Sequence, residues 1–127
     1  RDMEPAATRA GILASGITGE WPIVLARVSS TENAHVIGAL LTMHRYWRSK
    51  GLSADLVFLC ETPGQQLRDD LVSMVQAANE IDVLDQPTGV FVRNAESLGR
   101  LNVDLLESIA RLRLDVSHDS LEGIARV

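Results

Sequence analysis

"HRYWRSKGLSADLVFL", His44–Leu59, sets a helical pattern against a strand pattern with a glycine between them. Upstream of the glycine, Val36, Leu40, Met43 and Trp47 recur at steps of four, three and four, the spacing of one helix face. Gly51 falls where such a helix needs a left-handed residue after its last turn. In that frame Gly51 is C′, Leu52 is C″ and Trp47 is C3, the register of a Schellman ending, and an apolar contact between Leu52 and Trp47 is expected. Arg48 and Lys50 then lie beside the negative end of the helix dipole. Downstream, "ADLVFLC", Ala54–Cys60, is nearly continuous in apolar residues, which suits a strand covered on both faces, as in a parallel sheet. The stretch is therefore a joint between a helix and a strand. His44, one turn after Leu40, is expected to pack at the rim of the helix's apolar face rather than to act as a ligand.

The same grammar extends in both directions. "PIVLARV", Pro22–Val28, is a short β-branched and apolar run, long enough for a buried strand and too short for a helix. Ser29 and Glu32 stand at capping-box spacing for the helix that follows. After the second strand, "TPGQ" offers Thr62 as N-cap, Pro63 at the first helical position and Gln65 at the capping-box position. Leu67, Leu71, Met74, Val75 and Ala78 line one face of that helix. "GVFVRN", Gly89–Asn94, is a third strand. Leu98, Leu101, Leu105, Ile109 and Leu112 step along one side of a third helix, while alternation at Leu112, Leu114 and Val116 makes "RLRLDV" a competing fourth strand. A short helix near Leu121–Ala125 closes the domain. The order β-α-β-α-β-α implies an α/β fold of three layers, a mostly parallel sheet of three to four strands joined by right-handed βαβ crossovers. Residues 1–20 read as an irregular lead-in and 21–127 as one domain. Ile23, Leu25, Leu56, Phe58, Val90 and Val92 are the expected strand core.

Bulk properties bound the function. At 127 residues the chain can bury roughly two-thirds of its unfolded surface around one core. Its hydrophobic and charged fractions, 46% and 23%, are those of a globular protein. A net charge of −5 with interspersed signs excludes a basic footprint, so no nucleic-acid partner and no direct membrane contact are expected. Lone Cys60 has no partner for an internal disulfide. The chain opens on Arg1 rather than methionine and reads as an excised piece of a larger protein.

Residue types that do chemistry are present without the spacing that chemistry needs. "SHDS", Ser117–Ser120, holds the three side chains of a hydrolytic triad, yet sequence neighbours in a turn rarely orient one another, and we read it as a polar loop. His35, His44 and His118 lack ligand spacing, so no metal is expected. Asp69 and Asp70 are adjacent in a helix, point about 100° apart and cannot flank one bond. "SSTEN" after the first strand lacks the glycines of a phosphate loop, and no cofactor is expected. Binding crevices of open parallel sheets lie beyond the carboxyl ends of the strands. Here those ends carry Ser29, Ser30 and Thr31, then Glu61 and Thr62, then Arg93 and Asn94. These polar groups either hydrogen-bond a sugar or only cap helices, and capping is the simpler reading.

"SGITGEWPIVLARV", "HRYWRSKGLSADLVFL", "TGVFVRN" and "ARLRLDVSHDSLEGIA", in this order, resemble a segment of cyclic β-1,2-glucan synthases. The likeness spans residues 11 to 125, with the Tyr-Trp-Arg-x-Lys-Gly-Leu-x-x-Asp-Leu-Val core at 46 to 57 as its most specific part. Members of that family are very large bacterial inner-membrane proteins that join a glycosyltransferase module to a glycoside-phosphorylase-like module. The resemblance implies a parent that makes cyclic glucans from a nucleotide-sugar donor, with this segment outside both catalytic centres, soluble and facing the cytoplasm. No catalytic residue carries over, because neither the transferase's acidic and Gln-x-x-Arg-Trp motifs nor the phosphorylase's general acid has a counterpart. Trp21 stands where a smaller apolar residue is usual in the family, and "RNAES" replaces a more hydrophobic continuation. Two functions follow as expectations. One is a non-catalytic structural or docking domain that contacts other modules of the synthase. The other is a carbohydrate-binding or substrate-guiding module for β-1,2-glucan, using Trp21, Glu61, Arg93 and Asn94. With five aromatic residues in the chain, few rings remain for stacking on sugars, which favours docking.

Overall fold

A computed structural model of the chain describes residues 16–116. The strands are β1 (Ile23–Val28), β2 (Asp55–Cys60), β3 (Val90–Asn94) and β4 (Leu112–Asp115). The helices are α1 (Ala34–Ser49), α2 (Gln66–Ala77), α3 (Ala95–Leu98) and α4 (Arg100–Ile109), with a single 3₁₀ turn at Ile81–Val83. All strand pairings are parallel and the sheet order is β3-β2-β1-β4. The three-layer α/β fold read from the sequence is therefore the fold observed, and the segment left open between helix and strand is the fourth strand.

Strand alternation sorts the core into two layers. Val24, Ala26 and Val28, with Leu56, Phe58, Cys60, Val90, Val92, Leu114 and Val116, face α1 and α2. Ile23, Leu25, Val57, Leu59 and Phe91 face the opposite way, against Leu106 of α4 and Ile17. All six expected strand-core residues are buried. Ile17 is also fully buried, so the end of the lead-in belongs to the core. Nothing in its local pattern signals this, since a lone isoleucine among Gly and Thr has no periodicity.

The joint at Gly51 is built as its sequence indicates. Gly51 has φ +79°. The Leu52 N–H donates to Trp47 O at 3.0 Å and the Gly51 N–H to Arg48 O at 3.1 Å, the two bonds of a Schellman ending. Leu52 nonetheless stays 59% exposed, so hydrogen bonds carry the ending.

Three local expectations are corrected. Helix α1 begins four residues later than a Ser29 cap requires, and Ser30 Oγ instead accepts the Glu32 N–H in a turn. Thr62 does not cap α2; its hydroxyl donates to Ser29 O, tying the loop after β2 to the end of β1. Gly64, at φ +98°, then keeps the chain non-helical until Gln66. The third helix is not one stripe. Gly99, at φ +85°, separates α3 from α4 and resets the helical phase, so Leu106 is the buried residue of α4 while Leu101 and Ile109 are exposed. The sites at Ser117–Ser120 and Leu121–Ala125 lie outside the described residues. Among the described residues no helix is long and apolar enough to cross a membrane.

Candidate functional site

Strand order reverses between β1 and β4. The chain moves outward from β1 to β2 to β3, then returns through α3 and α4 to the other side of β1. In open α/β sheets that switch point, at the carboxyl ends, is where a crevice forms. A cavity of about 400 Å³ lies there, lined by Arg27, Glu107, Arg113, Leu114 and Asp115. A second, of about 170 Å³, is lined by Ser29, Ser30, Glu32, Asn33 and Val116.

The first cavity is charged because the apolar layer under α4 stops short. On that face β1 runs Ile23, Leu25, Arg27, and β2 runs Val57, Leu59 with Glu61 next in phase; β3 runs Phe91, Arg93 and β4 runs Arg113, Asp115. The last pleat is thus ionic on β1, β3 and β4, and β2 adds Glu61 just past its end beyond the apolar Leu59. Arg27 is the hub. Its Nη1 donates to Glu107 Oε2 at 3.4 Å and its Nη2 to Asp115 Oδ2 at 3.4 Å, with Glu61 Oε2 at 3.8 Å. Arg113 donates to Glu107 O at 2.9 Å, fixing the end of α4 against β4. On the other face, Asn33 Nδ2 donates to Val116 O at 2.7 Å and stitches the β1–α1 loop to β4.

The four residues singled out for sugar binding do not converge. Glu61 joins the Arg27 cluster. Arg93 sits at the end of β3, where Nη1 donates to Asp85 Oδ1 at 2.7 Å and to Val92 O at 2.9 Å, with the guanidinium 5.3 Å from the Phe91 ring centre. Asn94, one residue on, faces the opposite layer and is 9% exposed, its Oδ1 without a hydrogen-bond partner. Trp21 precedes β1 and therefore lies at the amino end of the sheet, away from the other three. Arg27, Glu107 and Asp115, which dominate the crevice, were not singled out from sequence. The available signal was Arg27 itself, the single charge in "PIVLARV".

Chemically the crevice is self-satisfied. One guanidinium is shared by three carboxylates, so an anionic ligand meets a cation whose positive charge is already met. The groups whose titration burial displaces lie elsewhere, in the core. Burial raises the Asp55 carboxyl above its ordinary value against the opposing pull of the Thr88 N–H and of His44. Burial likewise pushes the Cys60 thiol up to about 11, with Arg68 opposing. No group of three or more His, Cys, Asp or Glu side chains among the described residues is placed to hold a metal ion.

At the opposite end of the sheet, His44 is corrected from rim to interior. It is 2% exposed, with Nδ1 2.8 Å from Glu80 Oε2 and Nε2 3.0 and 3.1 Å from Ala54 O and Thr88 O. Its role as a structural side chain rather than a surface ligand stands, but through hydrogen bonds more than apolar packing. Comparisons with models of known families, with curated proteins and with solved structures find no match to this chain.

Proposed function

We propose that this domain is a non-catalytic docking module within a cyclic β-1,2-glucan synthase, its partners being the other modules of the parent protein. One observation carries the reading: every connection that enters the sheet at its amino end presents one large apolar side chain to solvent. Trp21 precedes β1, Leu52 precedes β2, Ile81 precedes β3 and Ile109 precedes β4, at 39%, 59%, 41% and 43% exposure. In a parallel sheet all four connections emerge at the same end, so these residues lie at one end of the domain, and exposed apolar side chains gathered at one end support a contact surface there. The carboxyl-end crevice, where chemistry or sugar binding is expected in this architecture, is occupied by its own ion pairs.

The carbohydrate-guiding alternative draws support from the polar crevice wall but not from rings. Trp21 stands apart from it, and the exposed Tyr46 has Lys50 Nζ 5.5 Å from its ring centre, so one stacking face is shared. The purified domain, offered a nucleotide-glucose donor or phosphate with β-1,2-glucan, is expected to show no turnover above a buffer blank. It should bind the remainder of the parent synthase in calorimetry, more weakly after Trp21→Ser and Leu52→Ser together. Micromolar glucan binding abolished by Arg93→Ala would replace docking with the sugar-guiding function.

A further inference from the structure

The segment between α2 and β3, residues 78–89, carries more backbone strain than any other described connection. Asn79, Asp85 and Thr88 all have φ between +61° and +64° without being glycine. Such conformations persist only where surroundings over-determine them. Here the surroundings are a buried polar cluster at the amino end of β2. His44 of α1 reaches Thr88 O and Ala54 O with Nε2, and Glu80 with Nδ1. Asp55, the first residue of β2, accepts the Thr88 N–H at 2.6 Å. Arg48, one helical turn after His44, places Nη2 3.7 Å from Glu80 Oε1. Glu80 is fully buried and Asp55 is 1% exposed.

Proton counting decides what this cluster tolerates. Nε2 faces two carbonyl oxygens, which only accept, so it carries a proton in every state that keeps these contacts. Nδ1 faces a carboxylate oxygen at 2.8 Å, which requires one more proton between them, whether it resides on the ring or on Glu80. If that proton is lost, a nitrogen lone pair meets a carboxylate lone pair in the interior, with two buried carboxylates and one half-exposed arginine as the remaining charges. Adding a proton is harmless by comparison, since a protonated Glu80 or Asp55 still has an oxygen that accepts. The cluster is one-sided: it survives acidification and fails on loss of the shared proton.

We propose that His44 and Glu80 form a proton-dependent latch that seats the strained 78–89 segment, and that removing their shared proton releases this segment while the sheet stays folded. The released segment contains Ile81 and the half-buried Val83 and Leu84, which pack on the α2 side of the core. Release therefore remodels the amino end of the domain.

The test follows the His44 imidazole nitrogens by NMR across an alkaline titration, together with amide-exchange protection factors corrected for the intrinsic pH dependence of exchange. Protection at Val83, Asp85 and Thr88 should fall by up to about tenfold per pH unit as the pH rises toward the loss of the pair's proton, the limiting slope of one linked proton, and level off beyond it, while Val57 and Phe58 keep theirs. In Glu80→Gln the side-chain amide donates to a neutral Nδ1, so the same amides should lose their pH dependence. Constant protection through the His44 titration overturns the latch, as does simultaneous loss of protection in loop and sheet. An unchanged pH dependence in a folded Glu80→Gln overturns it as well. The wild-type titration decides the matter by itself if that variant does not fold.

Discussion

Replacing Gly89 by alanine probes the packing that brings β3 into the sheet. A Cβ at this position would lie 2.0 Å from Val83 O, 2.8 Å from Gln86 O and 2.9 Å from Val83 Cβ. To restore ordinary contact at about 3.4 Å, the backbone at 83 and 89 must part by about 1.4 Å. Both neighbours are main chain, so no rotamer change relieves the clash. The separation strains the Gly89 N–H to Gln86 O bond at 2.9 Å and the Asp85 N–H to Val90 O bond at 2.7 Å. Overpacking costs about 1–3 kcal/mol and each hydrogen bond a net of about 0.5–1.5 kcal/mol, so the expected loss is about 2–6 kcal/mol. That is a large fraction of the roughly 5–15 kcal/mol that holds a domain folded. Urea unfolding followed by circular dichroism should show the midpoint lowered with little change in slope. Gly38→Ala, in α1, is the matched control, because a Cβ there meets nothing within 4 Å and the backbone at Gly38 is not left-handed. A Gly89→Ala protein within about 0.5 kcal/mol of wild type, the range of an ordinary surface change, would refute the steric account.

Gly51→Val should cost on the order of 1–2 kcal/mol through conformation alone, since φ is +79° and a β-branched side chain resists it; a neutral result in the same unfolding assay would remove the Schellman ending as a determinant of α1. For Asp55, burial lifts the folded-state value above the ordinary 3.8, so the folded state holds the extra proton and the group's contribution to stability is lost as pH rises through that window. Asp55→Asn keeps an acceptor for the Thr88 N–H, and its stability relative to wild type should grow from pH 4 toward neutrality; a difference that shrinks would reverse the sign of the argument. With its thiol near 11 and 1% exposed, Cys60 should react with a disulfide reagent at pH 8 only at the rate of unfolding, and rapid native-state labelling would contradict its burial.

Sequence alone determined what local periodicity encodes. β1, β2 and β3, their parallel arrangement and six of their core residues follow from apolar runs separated by amphipathic helices. The end of α1 follows from Gly51, a residue whose conformational freedom is its own. Each signal is contained within a few residues, which is why it is legible. Tertiary structure decided the rest. The loop after β1 is held by Asn33 on Val116 and by the hydroxyl of Thr62, both distant in sequence, and so the helix starts later than its capping residues suggest. Gly99 breaks the third helix and shifts its buried face to Leu106. Ile17 is buried only because α4 returns to the sheet face beside it. The charged crevice exists because β4 pairs with β1 rather than β3, bringing Asp115 to Arg27 across 88 residues of chain. His44 meets Glu80 for the same kind of reason, 36 residues apart. Strand order and buried polar pairing are set by which surfaces must cover one another in the folded whole, a condition no local window of sequence contains.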